Sequence, residues 1–220
     1  MKKLLIVASL AGLLVAQQCI AFTVNVYTTG GYFNDGGGEF TVTDPPSDPF
    51  QQIYQNYAPV ATVGGGFETF CISTAIDLQS NPLDATLDPT GVSVGTAYLY
   101  TMFATGTLPY NYNGFNLPFS DPNSRAASAW QLQNAIWELQ GIPPFDPVAG
   151  TDYVAMAVSR FGSLENAQAL AVGAVATLRM TSGGTDSQPM LAFVPDGGAT
   201  LLLLGLALSS LGACSRRFRA

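Results

Sequence analysis

Residues 121–141 read DPNSRAASAWQLQNAIWELQG, the stretch of the 220-residue chain that commits most clearly to one secondary structure. Asp121 or Ser124 offers an N-cap, Pro122 suits the first turn, and Gly141 supplies the stop, so the stretch predicts one helix. Ala129, Leu132, Ile136 and Leu139 form an apolar stripe. Trp130, Gln133, Trp137 and Gln140 form a second stripe beside it, which places Gln133 one turn from a tryptophan on either side.

Downstream, IPPF at 142–145 breaks the helix, and TDYVAMAVSRFG and SLENAQALAVGAVATLRM are expected to be two further helical stretches. Residues 183–193, which begin with a Gly-Gly, are expected to be a linker. Upstream, VSVGTAYLYTMFATG at 92–106 carries Ala97, Tyr100 and Phe103 at helical spacing, and a Pro- and Asn-rich loop follows it. FETFCISTAIDL at 67–78 alternates as a strand should, with Cys71 near its middle. FTVNVYTTGGYF at 22–33 predicts strand, turn and strand around Gly30-Gly31, and Glu39–Thr43 predicts a short strand. NDGGGE at 34–39 lacks the alternating oxygen ligands of a calcium loop and is expected to be a turn. The fold class is therefore α+β, with N-terminal strands packed against a helical second half.

Both ends look like processing segments. MKKLLIVASLAGLLVAQQCIAF has two lysines, an apolar run and small or neutral residues before Phe22, the pattern of a Sec signal peptide over residues 1–21 cut after Ala21. A lipoprotein site at Cys19 is disfavoured because Gln18 stands where a small residue is needed. At the other end, Val194, Pro195, Asp196, Gly197 and Gly198 precede an uncharged run from Ala199 to Cys214, and Arg216, Arg217 and Arg219 follow. This run is a little short for a full membrane span, and the arginines place the C-terminus inside and the domain outside. Between these ends, residues 22–182 form the exported domain.

Residues 22–193 keep Arg125, Arg160 and Arg179 against fourteen acids, a net charge of −11, with no lysine and no histidine. Such a surface repels nucleic acid and anionic lipid. The absence of histidine rules out a Ser-His-Asp triad, a Cys-His pair and any His-ligated zinc. No nucleophile–base constellation is visible, so no catalytic residue, metal ligand or cofactor is expected and the protein is not read as an enzyme. Once the signal and tail are gone, Cys71 is the only cysteine, which excludes a disulfide within the domain.

The tail resembles the PEP-CTERM sorting signals of Gram-negative bacteria, in the variant that begins VPDSG or VPDGG. The resemblance covers residues 194–220 and implies recognition by an exosortase, transient anchoring in the inner membrane, and release to the cell surface or extracellular matrix. A second resemblance lies in the domain. Phe70-Cys71-Ile72, followed sixty-two residues after the cysteine by Gln133-Asn134-Ala135-Ile136-Trp137, is similar to the signature of bacterial surface thioester domains. GTAYLYTMFATG resembles their middle helix. This likeness implies that Cys71 Sγ and the Gln133 carboxamide form an internal thioester, packed by Phe70, Trp130, Ala135 and Trp137, that acylates a surface amine or hydroxyl. Leu132 stands where that family has Thr, and the Cys-to-Gln spacing is short for it. The alternative is a non-catalytic matrix protein of the same fold with Cys71 buried as a thiol.

Overall fold

The computed structural model describes residues 22–34, 37–43, 66–88, 90–114, 117–171 and 175–193. Its elements in chain order are β1 (Phe22–Asn34), β2 (Gly37–Thr43), β3 (Gly66–Thr69), β4 (Leu83–Asp88), α1 (Val94–Ala104), α2 (Arg125–Leu139), α3 (Thr151–Phe161), α4 (Leu164–Ala167), β5 (Val175–Ser182) and β6 (Thr185–Phe193). The fold is α+β, built on one six-stranded sheet of order β3-β2-β1-β4-β5-β6 in which every neighbouring pair is antiparallel.

The sheet curls until its two edge strands meet. Just past β3, Cys71 forms an antiparallel bridge with Met190 of β6. Leu191 N–H donates to Phe70 O at 3.0 Å, and Ile72 N–H donates to Pro189 O at 3.0 Å. The closed side of the sheet is filled by Val24, Val26, Phe40, Val42, Phe67, Cys71, Leu83, Ala85, Leu178, Met180, Met190 and Ala192, with Trp137 of α2 inserted among them. Residues alternate across a strand, so Phe70 and Leu191 face outward, where they join Leu99, Tyr100 and Phe103 of α1 and Leu132, Ile136 and Leu139 of α2 in a second core. Two apolar layers thus share one sheet, and α2 is the element that reaches both.

The central helix forms as expected, with a sharper start. Ser124 caps it by accepting from Ala127 N at 3.0 Å, and Gly141, at φ +73, ends it in the left-handed conformation that a side chain resists. Pro122 and Asp121 lie before the cap.

Four expectations need correction. Residues 163–180 are not one helix: they hold the single turn α4 and then the start of β5. Residues 183–193 are not a linker but the turn and strand β6 of a hairpin. Gly183 and Gly184 sit at φ +56 and +85, the two-residue turn that right-twisted strands favour, with Ser182 paired to Thr185 across it. Burial of Leu178 and Met180 in the closed sheet overrides the helix propensity of their Ala- and Leu-rich segment. Residues 22–33 make one strand with an irregularity in register between Thr28 and Phe33, not two strands. The strand carrying Cys71 ends at Thr69, because the chain there leaves β2 to bridge β6. Among the described residues no helix is long and apolar enough to cross a membrane, and the signal segment 1–21 and the tail 194–220 lie outside them.

Between the sheet's outer face and the helices lies a buried polar layer. The Glu68 carboxylate accepts from the Thr29 hydroxyl at 2.8 Å and the Thr41 hydroxyl at 2.9 Å. Burial above all, and then the nearby Glu39 charge, push the Glu68 carboxyl up to about 7, against the pull of the two hydroxyls and Arg125. A carboxyl raised in the folded state favours folding below its ordinary pKa, and that contribution is lost as pH climbs through about 7. Stability is expected to fall by about 2–3 kcal/mol between pH 4.5 and pH 8 through this group, by linkage. Urea midpoints across that range check it: Glu68→Gln flattens the decline, and an equally steep decline in the variant assigns it to other groups.

Candidate functional site

The bridge that closes the sheet leaves one face of the Cys71 peptide unit to α2, and Gln133 occupies it. Gln133 Nε2 donates to Cys71 O at 2.8 Å, while Cys71 N–H donates to Gln133 Oε1 at 3.2 Å. The carboxamide therefore pairs with the cysteine backbone as another strand would. It brings Cys71 Sγ within 3.4 Å of Oε1. Both residues are fully buried. The sequence-based pairing of Cys71 with Gln133, sixty-two residues apart, is thus a direct contact in the structure.

Burial pushes the Cys71 thiol up to about 12. Trp137 opposes that shift without overcoming it. Its indole Nε1 is buried and makes no hydrogen bond, yet an N–H short of bonding geometry still presents partial positive charge to the sulfur. Trp137 Nε1 and Gln140 Nε2 are the two buried side-chain donors left unpartnered among the described residues.

The other expected packing residues are distributed differently. Trp137 sits in the same apolar cluster as Cys71. Phe70 is buried in the opposite cluster, edge-on to Phe103 at 5.1 Å, because adjacent residues of an extended chain face opposite ways. Ala135 also belongs to that second cluster; its small side chain allows the backbone of Gly150 to approach α2. Trp130 is half-buried and meets Phe119 at 6.5 Å, toward the surface.

Two neighbours of the pair were not singled out in the sequence. Gly37, at φ +129, lies against it: a Cβ built there would fall 2.8 Å from Gln133 Cγ and 2.7 Å from Trp137 Cη2. Phe145 covers Trp137 with ring centroids 5.2 Å apart. The triglycine 36–38 is a visible signal, but it reads as an ordinary turn until the helix is known to cross it.

A buried ion pair anchors the start of the same helix. Arg125 Nε and Nη2 donate to both Glu39 oxygens at 2.8–3.1 Å, and Nη1 donates to Tyr112 O at 3.0 Å. Burial disfavours the guanidinium charge, but the bonds and charge of Glu39 outweigh it. Tyr110 donates its hydroxyl to Glu39 Oε1; burial and that carboxylate hold its phenol far above the ordinary range. The pair ties α2 to β2, the strand that begins at Gly37.

Among the described residues no group of three or more His, Cys, Asp or Glu side chains is placed to hold a metal ion. Comparison with known proteins identifies one segment: the model of the VPDSG-CTERM motif matches residues 194–218. No curated protein and no solved structure matches the chain. The motif supports a PEP-CTERM-type sorting signal at residues that the structure leaves undescribed.

Proposed function

We propose that this chain is an exported surface protein, handed to an exosortase by its tail, whose domain carries an internal thioester between Cys71 Sγ and the acyl carbon of Gln133. The matched motif at residues 194–218 supports the sorting half of this reading. One observation carries the covalent half: the Cys71 sulfur and the Gln133 carboxamide are buried together, 3.4 Å from sulfur to oxygen, with the Cys71 N–H on that oxygen.

The chemistry needs little beyond this placement. Cys71 Sγ adds to the carboxamide carbon, the Cys71 N–H steadies the negative charge gathering on Oε1, and the thiol proton leaves with the amide nitrogen as ammonia. Trp137 and Phe145 limit access of water to the resulting ester. A domain without lysine holds no internal side-chain amine to consume it. The thioester then acylates a nucleophile on another surface, which attaches the protein covalently.

A second reading has a specific observation behind it. Asn81 holds Val26 in the same way that Gln133 holds Cys71, donating to Val26 O at 2.8 Å and accepting from Val26 N at 2.8 Å, with no cysteine involved. On that reading Gln133 only completes the backbone pairing of Cys71, and the thiol, pushed up to about 12, stays inert. Thiol titration decides between them. In denaturant without prior treatment, a thioester yields no free Cys71 thiol, and brief exposure to hydroxylamine releases one thiol per chain. A structural cysteine titrates fully in denaturant whether or not hydroxylamine was added.

A further inference from the structure

Residues 183–193, expected to be a linker, are instead the turn and strand β6, and β6 ends at Phe193, the residue before the matched sorting motif. No spacer separates the folded sheet from Val194. The end of β6 is held on both edges. Leu191, Ala192 and Phe193 pair with Thr177, Ala176 and Val175 of β5. On the other edge Met190 bridges Cys71, Leu191 N–H donates to Phe70 O at 3.0 Å, and Leu191 O accepts from Thr69 Oγ1 at 2.5 Å. Met190 and Leu191 are fully buried, Ala192 is nearly so, and Phe193 packs against both apolar clusters. Unpairing residues 190–193 therefore opens the sheet at the Cys71 bridge.

A bond cut anywhere in Val194–Gly198 lies at most five residues from Phe193, roughly 17 Å of fully extended chain. A protease holds its substrate as an extended strand, bonded through free N–H and C=O groups over several residues on each side of the cut. In the closed domain those groups of Leu191 are already taken by Phe70 and Thr69. We propose that docked β6 is a brake on tail removal: the enzyme that cuts at the motif reaches its bond only when the end of β6 unpairs. This rests on the sorting reading above and not on the thioester. Chains whose last strand is still unpaired lose the tail quickly. Chains whose sheet has closed stay anchored until the strand end frays, the kind of local opening that precedes global unfolding. The Cys71–Met190 bridge is thus complete in a protein that still carries its tail.

The test inserts a Gly-Ser-Gly-Ser-Gly-Phe spacer between Phe193 and Val194, which adds roughly 20 Å of reach and leaves β6 intact. In cells that hold the exosortase, the pulse-labelled spacer protein is expected to lose its tail about tenfold faster than the wild type, since opening of the strand end is no longer required. Equal rates, or slower removal from the spacer protein, overturn the brake. If neither chain loses its tail, the sorting reading has failed on its own, and chymotrypsin added to the full chain purified in detergent still decides the brake. Chymotrypsin cuts after aromatic residues, and mass spectrometry reads the cut before Val194 in both proteins. Cutting about tenfold slower after Phe193 of the wild type than after the spacer's phenylalanine supports the brake, and equal cutting overturns it. A Gly-Ser spacer between Gly198 and Ala199 moves the apolar run away while β6 stays flush with Val194. If that spacer speeds cutting after Phe193 as much as the first one does, the detergent and not β6 blocks the bond, which also overturns the brake.

Discussion

Arg125→Ala is expected to lower stability by about 3–5 kcal/mol, a large fraction of the roughly 5–15 kcal/mol that holds an ordinary domain folded. The residue is fully buried, and the substitution strands the buried Glu39 carboxylate, close to Glu68, with only the Tyr110 hydroxyl as partner. It also removes the donor to Tyr112 O, which helps hold the 110–112 loop against the aromatic cluster around Phe103. The two charges oppose each other's desolvation, so removing both is milder than removing one. Arg125→Met combined with Glu39→Leu is therefore expected to recover most of the loss, minus the two hydrogen bonds to Tyr110 and Tyr112. Urea denaturation of the single and double variants measures this. A double variant as unstable as Arg125→Ala would show that the side chains act through shape and not through paired charge.

Gly37→Ala is expected to damage the site as much as the fold. At φ +129 the backbone is in a region that side chains rarely adopt, at roughly 1–3 kcal/mol for a non-glycine residue. The new methyl group must also displace Trp137 Cη2 at 2.7 Å and Gln133 Cγ at 2.8 Å, and overpacking adds about 1–3 kcal/mol. Both atoms belong to side chains locked in a buried cluster, so relief comes by moving Gln133 off the Cys71 backbone. The expected outcome is a stability loss of about 2–6 kcal/mol together with loss of any hydroxylamine-sensitive bond, even in protein that remains folded. Circular dichroism melts and thiol titration on the same sample read the two effects separately. A destabilised variant that keeps the hydroxylamine-sensitive bond would mean that Gln133 does not depend on this contact.

The helix 125–139 was legible because capping, apolar spacing and a terminal glycine all agree there, and it brought Gln133 and Trp137 onto one face without any knowledge of the rest. The pairing of Cys71 with Gln133 was legible only through resemblance, since nothing local to either residue specifies the other. Residues 175–193 misled for a physical reason. Ala, Leu and Met favour a helix in isolation, and only the Gly183-Gly184 hairpin and the closed sheet turn Leu178 and Met180 into strand residues. Phe70 misled because adjacency in sequence suggests adjacency in space, whereas an extended chain sends Phe70 and Cys71 to opposite faces. Gly37 and Phe145 stayed hidden because their importance depends on which element crosses them.

Intact mass tests the central claim most directly. Ammonia leaves when Cys71 and Gln133 join, so the protein purified without added nucleophile is expected to be about 17 Da lighter than its processed sequence requires. Cys71→Ala and Gln133→Glu should each show the full mass of their own sequences. A wild-type chain at full mass, with a Cys71 thiol that titrates on unfolding, would contradict the thioester and leave Gln133 as the backbone partner of a buried cysteine.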